Sequence, residues 1–114
     1  MKEHMPFINF SARPFTLRSI NQNAPPQSGV YGICSPSEWV VVGEAENIRE
    51  VLLQYLGQPN STVGGRRPTG FTFELCEGNA RMARKRTLIM ELHPTCNPSG
   101  NSASNSDASM GASR

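Results

Sequence analysis

The chain has little of what marks several common protein classes. Its 114 residues include three cysteines, Cys34, Cys76 and Cys96, which are odd in number, far apart and without a C-x-x-C pair. That argues against a disulfide framework or a zinc site and fits a reducing cytoplasm. No apolar run approaches the ~20 residues that cross a bilayer, so no membrane partner is expected. Pro6, Asn9, Ser11 and Arg13 interrupt the N-terminal stretch after Lys2, which excludes a secretory signal and predicts a cytoplasmic location. Aromatic residues make up 7% and do not interleave with the basic ones, so base stacking is not signalled. Neither sign of charge dominates, since 11 Lys and Arg face 9 Asp and Glu, and the net +2 points to no partner by itself. His93-x-x-Cys96 has the spacing of half a metal site, but no second half follows, and a structural role is expected.

What is present reads as one small domain. Charge is unevenly placed along it. Arg66, Arg67, Arg81, Arg84, Lys85 and Arg86 stand against Glu74 and Glu77 in one stretch, whereas Glu38, Glu44, Glu46 and Glu50 make the preceding part acidic. Residues 1–28 mix polar groups with Phe7, Ile8, Phe10, Phe15, Leu17 and Ile20, which predicts an extension packed on the core with a short helix at 16–21. Pro25 and Pro26 remove donors and fix the backbone, marking a linker into the next element.

Gly29–Cys34 and residues 39–43 are rich in β-branched and aromatic side chains, with Pro36 in the turn between them, and so predict a hairpin. Ile48, Val51, Leu52, Tyr55 and Leu56 fall on one helical stripe that Gly57 ends. Residues 58–70, with Pro59, Gly64, Gly65 and Pro68, predict a flexible loop. Phe71, Phe73 and Leu75 alternate with polar residues as in a half-buried strand. Asn79 is placed to cap a helix reaching Leu92, with Met82, Ala83, Leu88, Ile89 and Leu92 as its apolar stripe. Residues 98–114 are Ser-, Gly-, Asn- and Ala-rich and predict a disordered tail after a domain spanning 29–97. The order strand, strand, helix, strand, helix suits an α+β fold, a three-stranded antiparallel sheet flanked by helices.

Gly29-Val30-Tyr31, Val41-Val42-Gly43 and the helix after it resemble the core of the GIY-YIG nuclease family, whose strands carry Gly-Ile-Tyr and Tyr-Ile-Gly before a helix with an Arg. Leu88-Ile89 and Pro94-x-x-Asn97 resemble the closing segment of the excision-repair members. The resemblance implies a small GIY-YIG-like fold and assigns the family's first Tyr to Tyr31. It places the second Tyr at Val41, the Arg at Val51 and the metal-binding Glu at Lys85. Three of the four roles are therefore vacant. A Lys ammonium repels the Mg²⁺ that such an enzyme uses, because hard divalent ions want oxygen ligands.

The expectation is a degenerate, catalytically inactive nuclease-like domain without a metal or other cofactor. It would bind DNA or RNA through Arg66, Arg67, Arg81, Arg84, Lys85 and Arg86. Two alternatives stay open. One is an active Mg²⁺-dependent endonuclease that pairs Tyr31 with a displaced carboxylate, Glu74, Glu77 or Glu91. The other is a protein-interaction module whose acidic face, Glu44, Glu46 and Glu50, meets a basic partner. Each residue also has a plainer reading: Tyr31 and Tyr55 as core, residues 81–86 as a solvated helix face, and Arg66-Arg67 as soluble loop residues.

Overall fold

Strand propensity and turn chemistry set the centre of the molecule, and everything else is arranged around that hairpin. The computed structural model describes residues 12–97. Strand β1 is Arg13–Pro14, helix α1 Leu17–Asn23, strand β2 Gly29–Cys34, strand β3 Trp39–Ala45 and helix α2 Ile48–Leu56. Strand β4 is Gly70–Leu75 and helix α3 Gly78–Leu92, with a 3₁₀ turn at Gly64–Arg66 in the loop between α2 and β4. The sheet is antiparallel, in the order β1-β4-β2-β3.

Side-chain alternation along β2 divides the protein into three layers. Tyr31 and Ile33 face one side with Val41 and Phe71, where α1 and α2 add Ile20, Ile48 and Leu52. Val30 faces the other side with Val42, and α3 covers them through Leu88. Two glycines permit close approaches that any Cβ would block. A Cβ on Gly29 would sit 2.3 Å from the Glu74 carbonyl oxygen, and one on Gly43 would sit 2.4 Å from the Tyr31 hydroxyl.

Several expectations change in detail. The sheet has four strands, not three, because the residues before α1 add β1 to the edge of β4. The short helix is Leu17–Asn23, and Thr16 is its cap, the Oγ1 accepting from the Ser19 N–H at 3.2 Å. Helix α3 starts at Gly78, behind Glu77 and not behind Asn79, because Gly78 takes the positive φ of 53° that turns the chain into the helix. Its expected stripe is split: Leu88 is buried with Ile89 and Leu92 packed beside it, whereas Met82 is 45% exposed and Ala83 is exposed. Leu75 is likewise 49% exposed at the end of β4. The loop at 58–70 is anchored, since Val63 is buried in the α1–α2 side of the core. Residues 1–11 of the extension and the 98–114 tail lie outside the described residues.

The chain after α3 closes the outer edge of β3. Thr95 and Cys96 donate backbone N–H bonds to the Trp39 and Val40 carbonyls at 3.0 and 2.7 Å. The Asn97 side chain then grips Val42 from both sides: the Val42 N–H donates to Oδ1 at 2.7 Å, and Nδ2 donates to the Val42 carbonyl at 2.8 Å. One carboxamide thereby acts as the next rung of the ladder and covers a strand edge that would otherwise pair with another chain.

Candidate functional site

Tyr31, Val41 and Val51 lie on the α2 side of the sheet, in or against one core cluster. Tyr31 and Val41 are buried, 4% and 6% exposed, and Val51 is half-buried against the same cluster. The Tyr31 ring lies across Gly43, which has no side chain to stop it. Its hydroxyl reaches Tyr55 on α2, donating to the Tyr55 hydroxyl at 3.4 Å, with ring centroids 6.0 Å apart and the planes tilted by 57°. Burial, then the Tyr55 hydroxyl, then the charge of Glu44 push the Tyr31 phenol well above its ordinary range. The proton therefore stays on Tyr31 at neutral pH, which is unfavourable for a general base. Val51 packs against the same core cluster and offers only methyl groups.

Lys85 belongs to the other layer. It lies half-buried on α3, the helix packed on the Val30–Val42 face. No cluster of three or more His, Cys, Asp or Glu suited to a metal ion exists among the described residues. The position that the resemblance gives to a carboxylate holds an ammonium, which is not a ligand for a hard divalent cation.

The basic residues of α3 divide into two kinds. Arg81 Nε donates to Glu44 Oε1 at 2.7 Å, and its Nη1 donates to Ser28 Oγ at 3.0 Å and to the Ala45 carbonyl at 3.3 Å. Arg84 holds Glu74 with two bonds, Nε to Oε2 at 2.8 Å and Nη2 to Oε1 at 3.1 Å. That contact, more than any other influence, raises the Arg84 pKa. Glu44 and Glu74 flank Val30 at the same level of the sheet, both registered against it. The two arginines therefore dock α3 onto the sheet, a role that a charge count cannot distinguish from phosphate binding. Arg86 is exposed and Lys85 half-exposed. In the loop before β4, Arg67 is exposed, and Arg66 stands 3.7 Å from Glu38 with 49% of its side chain in solvent.

The charged groups nearest in sequence to these positions have partners or exposure of their own. Arg49 turns to the linker, its Nε donating to the Ala24 carbonyl at 2.8 Å. Among the carboxylates considered from sequence, Glu74 is held by Arg84, while Glu77 and Glu91 are exposed. The carboxylate whose field does reach Tyr31 is Glu44, which sequence reasoning had placed on an acidic outer face. Tyr55 as the hydroxyl partner and Asn97 as the edge clamp were also missed in those roles. The only signal for the first is the phenolic character of Tyr55 on an otherwise aliphatic stripe.

A central hairpin, a helix on one face and a long helix on the other define a GIY-YIG-like fold. Solved structures agree. The chain is similar to the GIY-YIG N-terminal endonuclease domain of UvrC from Thermotoga maritima bound to its catalytic divalent cation, magnesium, with 20% identity, a TM-score of 0.59, and 73% of this chain matched to 100% of that one. A tyrosine-to-phenylalanine point mutant of that domain gives a TM-score of 0.60 at 18% identity, covering 73% of this chain and 99% of that chain. An asparagine-to-alanine point mutant gives 0.58 at 19%, covering 70% and 96%. No protein-family model and no curated protein matches the chain.

Proposed function

We propose that this chain is a nuclease-like domain that does not hydrolyse nucleic acid and instead binds it, as DNA or RNA. The observation that carries the reading is the apolar packing of Val51 on the core cluster that holds Tyr31 and Tyr55, at the position that the resemblance gives to the family's Arg. Positioning and electrostatic stabilisation supply nearly all the catalysis of phosphoryl transfer. A methyl surface supplies neither, a protonated buried phenol takes no proton from water, and Lys85, at the position that the resemblance gives to the metal-binding Glu, offers an ammonium in place of an oxygen ligand. The UvrC domain is described as an endonuclease with a catalytic divalent cation, which supports nucleic acid as the partner class here. The active alternative lacks support from geometry, because Glu74 is bound by Arg84 on the sheet face opposite Tyr31. The test is incubation of the purified chain with nicked, branched and plain duplexes in Mg²⁺ and in Mn²⁺. No cleavage above buffer is expected. Robust metal-dependent cleavage that disappears in Tyr31→Phe would overturn the reading.

A further inference from the structure

Two arginines that the sequence pattern left unassigned, Arg13 and Arg18, stand beside the basic loop. The chain leaves β1 at Pro14, and the Phe15 N–H donates to the Thr69 carbonyl at 3.0 Å. All four of Arg13, Arg18, Arg66 and Arg67 lie within three residues of that single bond, and all four are exposed. Pro14 pairs with Gly70 and Arg13 with Phe71, while the Thr69 N–H donates to the Cys34 carbonyl at 2.8 Å. These bonds gather the start of α1, the loop before β4 and the β2–β3 turn at one end of the sheet. Val63, buried in the core, holds the loop there. Arg67 stands in the left-handed region at φ 55°, its N–H bonded to the Gly64 carbonyl at 3.0 Å.

Two negative or neutral neighbours temper this end without cancelling it. Glu38 faces Arg66 at 3.7 Å, and Arg13 Nη1 donates to Asn23 Oδ1 at 3.3 Å, an exposed and neutral contact. One carboxylate against four guanidinium groups leaves a clear excess. The opposite end of the sheet carries the other sign. There Ala45 pairs with Gly29, which pairs with Leu75, so Glu46 and Glu77 project where the helices α2 and α3 begin. A polyanion is repelled from that end and drawn to the loop end.

We infer that Arg13, Arg18, Arg66 and Arg67 form one basic rim at the loop end of the sheet, and that this rim, not helix α3, grips the phosphate backbone of the nucleic acid. The inference rests on the binding function proposed above and names its surface. Helix α3 is the weaker candidate because Arg81 and Arg84 hold Glu44 and Glu74, which leaves it Lys85 and Arg86. Duplex DNA carries one charge per ~1.7 Å of its axis, so a rim of four guanidinium groups meets several phosphates at once without reading bases.

The test uses the full chain and a fluorescein-labelled duplex of arbitrary sequence, titrated by anisotropy over a series of salt concentrations. The variant R13Q/R18Q/R66Q/R67Q is expected to bind at least about tenfold more weakly and to flatten the slope of log K against log salt by roughly 3 to 4. K85Q/R86Q is expected to stay within about twofold of the parent chain in affinity, with its slope unchanged. Arg67→Gly gives an independent check, since glycine takes the left-handed conformation freely and the fold survives while binding weakens. Circular dichroism confirms that each variant is folded. If the parent chain retains no nucleic acid even at low salt, the binding function itself falls. If the parent binds and K85Q/R86Q loses as much as the rim variant, or the rim variant loses nothing, the rim assignment alone is overturned. Retention of a polyglutamate peptide in preference to the duplex would also overturn it, in favour of an acidic protein partner.

Discussion

Arg81 is the most exacting test of how α3 is held. Its guanidinium has three acceptors on two segments of chain: the Glu44 carboxylate and the Ala45 carbonyl on β3, and Ser28 before β2. The ion pair is mostly sheltered, with 18% of the Arg81 side chain and 23% of the Glu44 side chain exposed. Arg81→Met keeps most of the packing of the stem and removes all three bonds. A sheltered charge-assisted bond contributes about 1.5–3 kcal/mol and each neutral acceptor about 1 kcal/mol at most, so the expected loss is about 3 kcal/mol. For a domain of this size that lowers Tm by roughly 12–24 °C. A double-mutant cycle with Glu44→Gln, measured by urea unfolding, should return a coupling of about 1–2 kcal/mol, above the 0.2–1 kcal/mol of exposed pairs. A coupling under about 0.3 kcal/mol would refute the docking role and return Arg81 to the pool of solvated charges. The same reasoning expects Arg81→Met to leave the salt slope of nucleic-acid binding unchanged while stability falls.

Two further outcomes follow from single contacts. Asn97→Ala removes both bonds to Val42, so it should cost about 1–2 kcal/mol and accelerate hydrogen exchange at the Val42 amide; unchanged exchange there would show that the edge is closed by something else. The Tyr31 phenol is raised in the folded state, so its contribution is full below the unfolded value near 10 and is lost as pH climbs above it, at up to about 1.4 kcal/mol per pH unit; the alkaline fall in Tm should shrink in Tyr31→Phe, and an identical fall in both would refute the burial argument.

The parts of the fold legible in the sequence are those where side-chain periodicity and burial coincide. Gly29–Cys34 matches its strand end to end, and the stripe from Ile48 to Leu56 is the helix that the structure contains. The failures share a cause. Strand β1 is two residues long and has no period to detect, existing only because Arg13 and Pro14 meet Phe71 and Gly70. Helix α3 packs on the sheet through the C-terminal part of its stripe, Leu88, Ile89 and Leu92, while Met82 and Ala83 are exposed, so the stripe accounts for only that half of the helix. The first turns of that helix are held by a pair of arginine–carboxylate contacts between partners 37 and 10 residues apart in the chain. Nothing local in either partner announces the other. The hairpin and α2 fix where Tyr31, Val41 and Val51 fall in the fold, whereas Lys85, the fourth position, lies on the helix of the other layer. The site's chemistry was less legible, because whether Tyr31 is wet or dry depends on Tyr55 and on the bare backbone at Gly43.

The arrangement of charge gives the function its most economical physical account. Four basic residues of α3 look alike in sequence, yet two of them have sheltered carboxylate partners and cannot also neutralise phosphate without abandoning these. Breaking a sheltered pair by removing one partner leaves the other charge uncompensated, at about 3–5 kcal/mol when fully buried and less at this exposure. A phosphate contact in solvent returns far less than that. On the binding proposed above, a polyanion engages the cations whose existing contacts are weak, and those are the four at the loop end, where the one carboxylate contact among the described residues is at 3.7 Å and half open to water. The tyrosine pair then needs no part in binding at all. Its role is packing, and Tyr31→Phe should leave affinity for a duplex unchanged even where it alters alkaline stability.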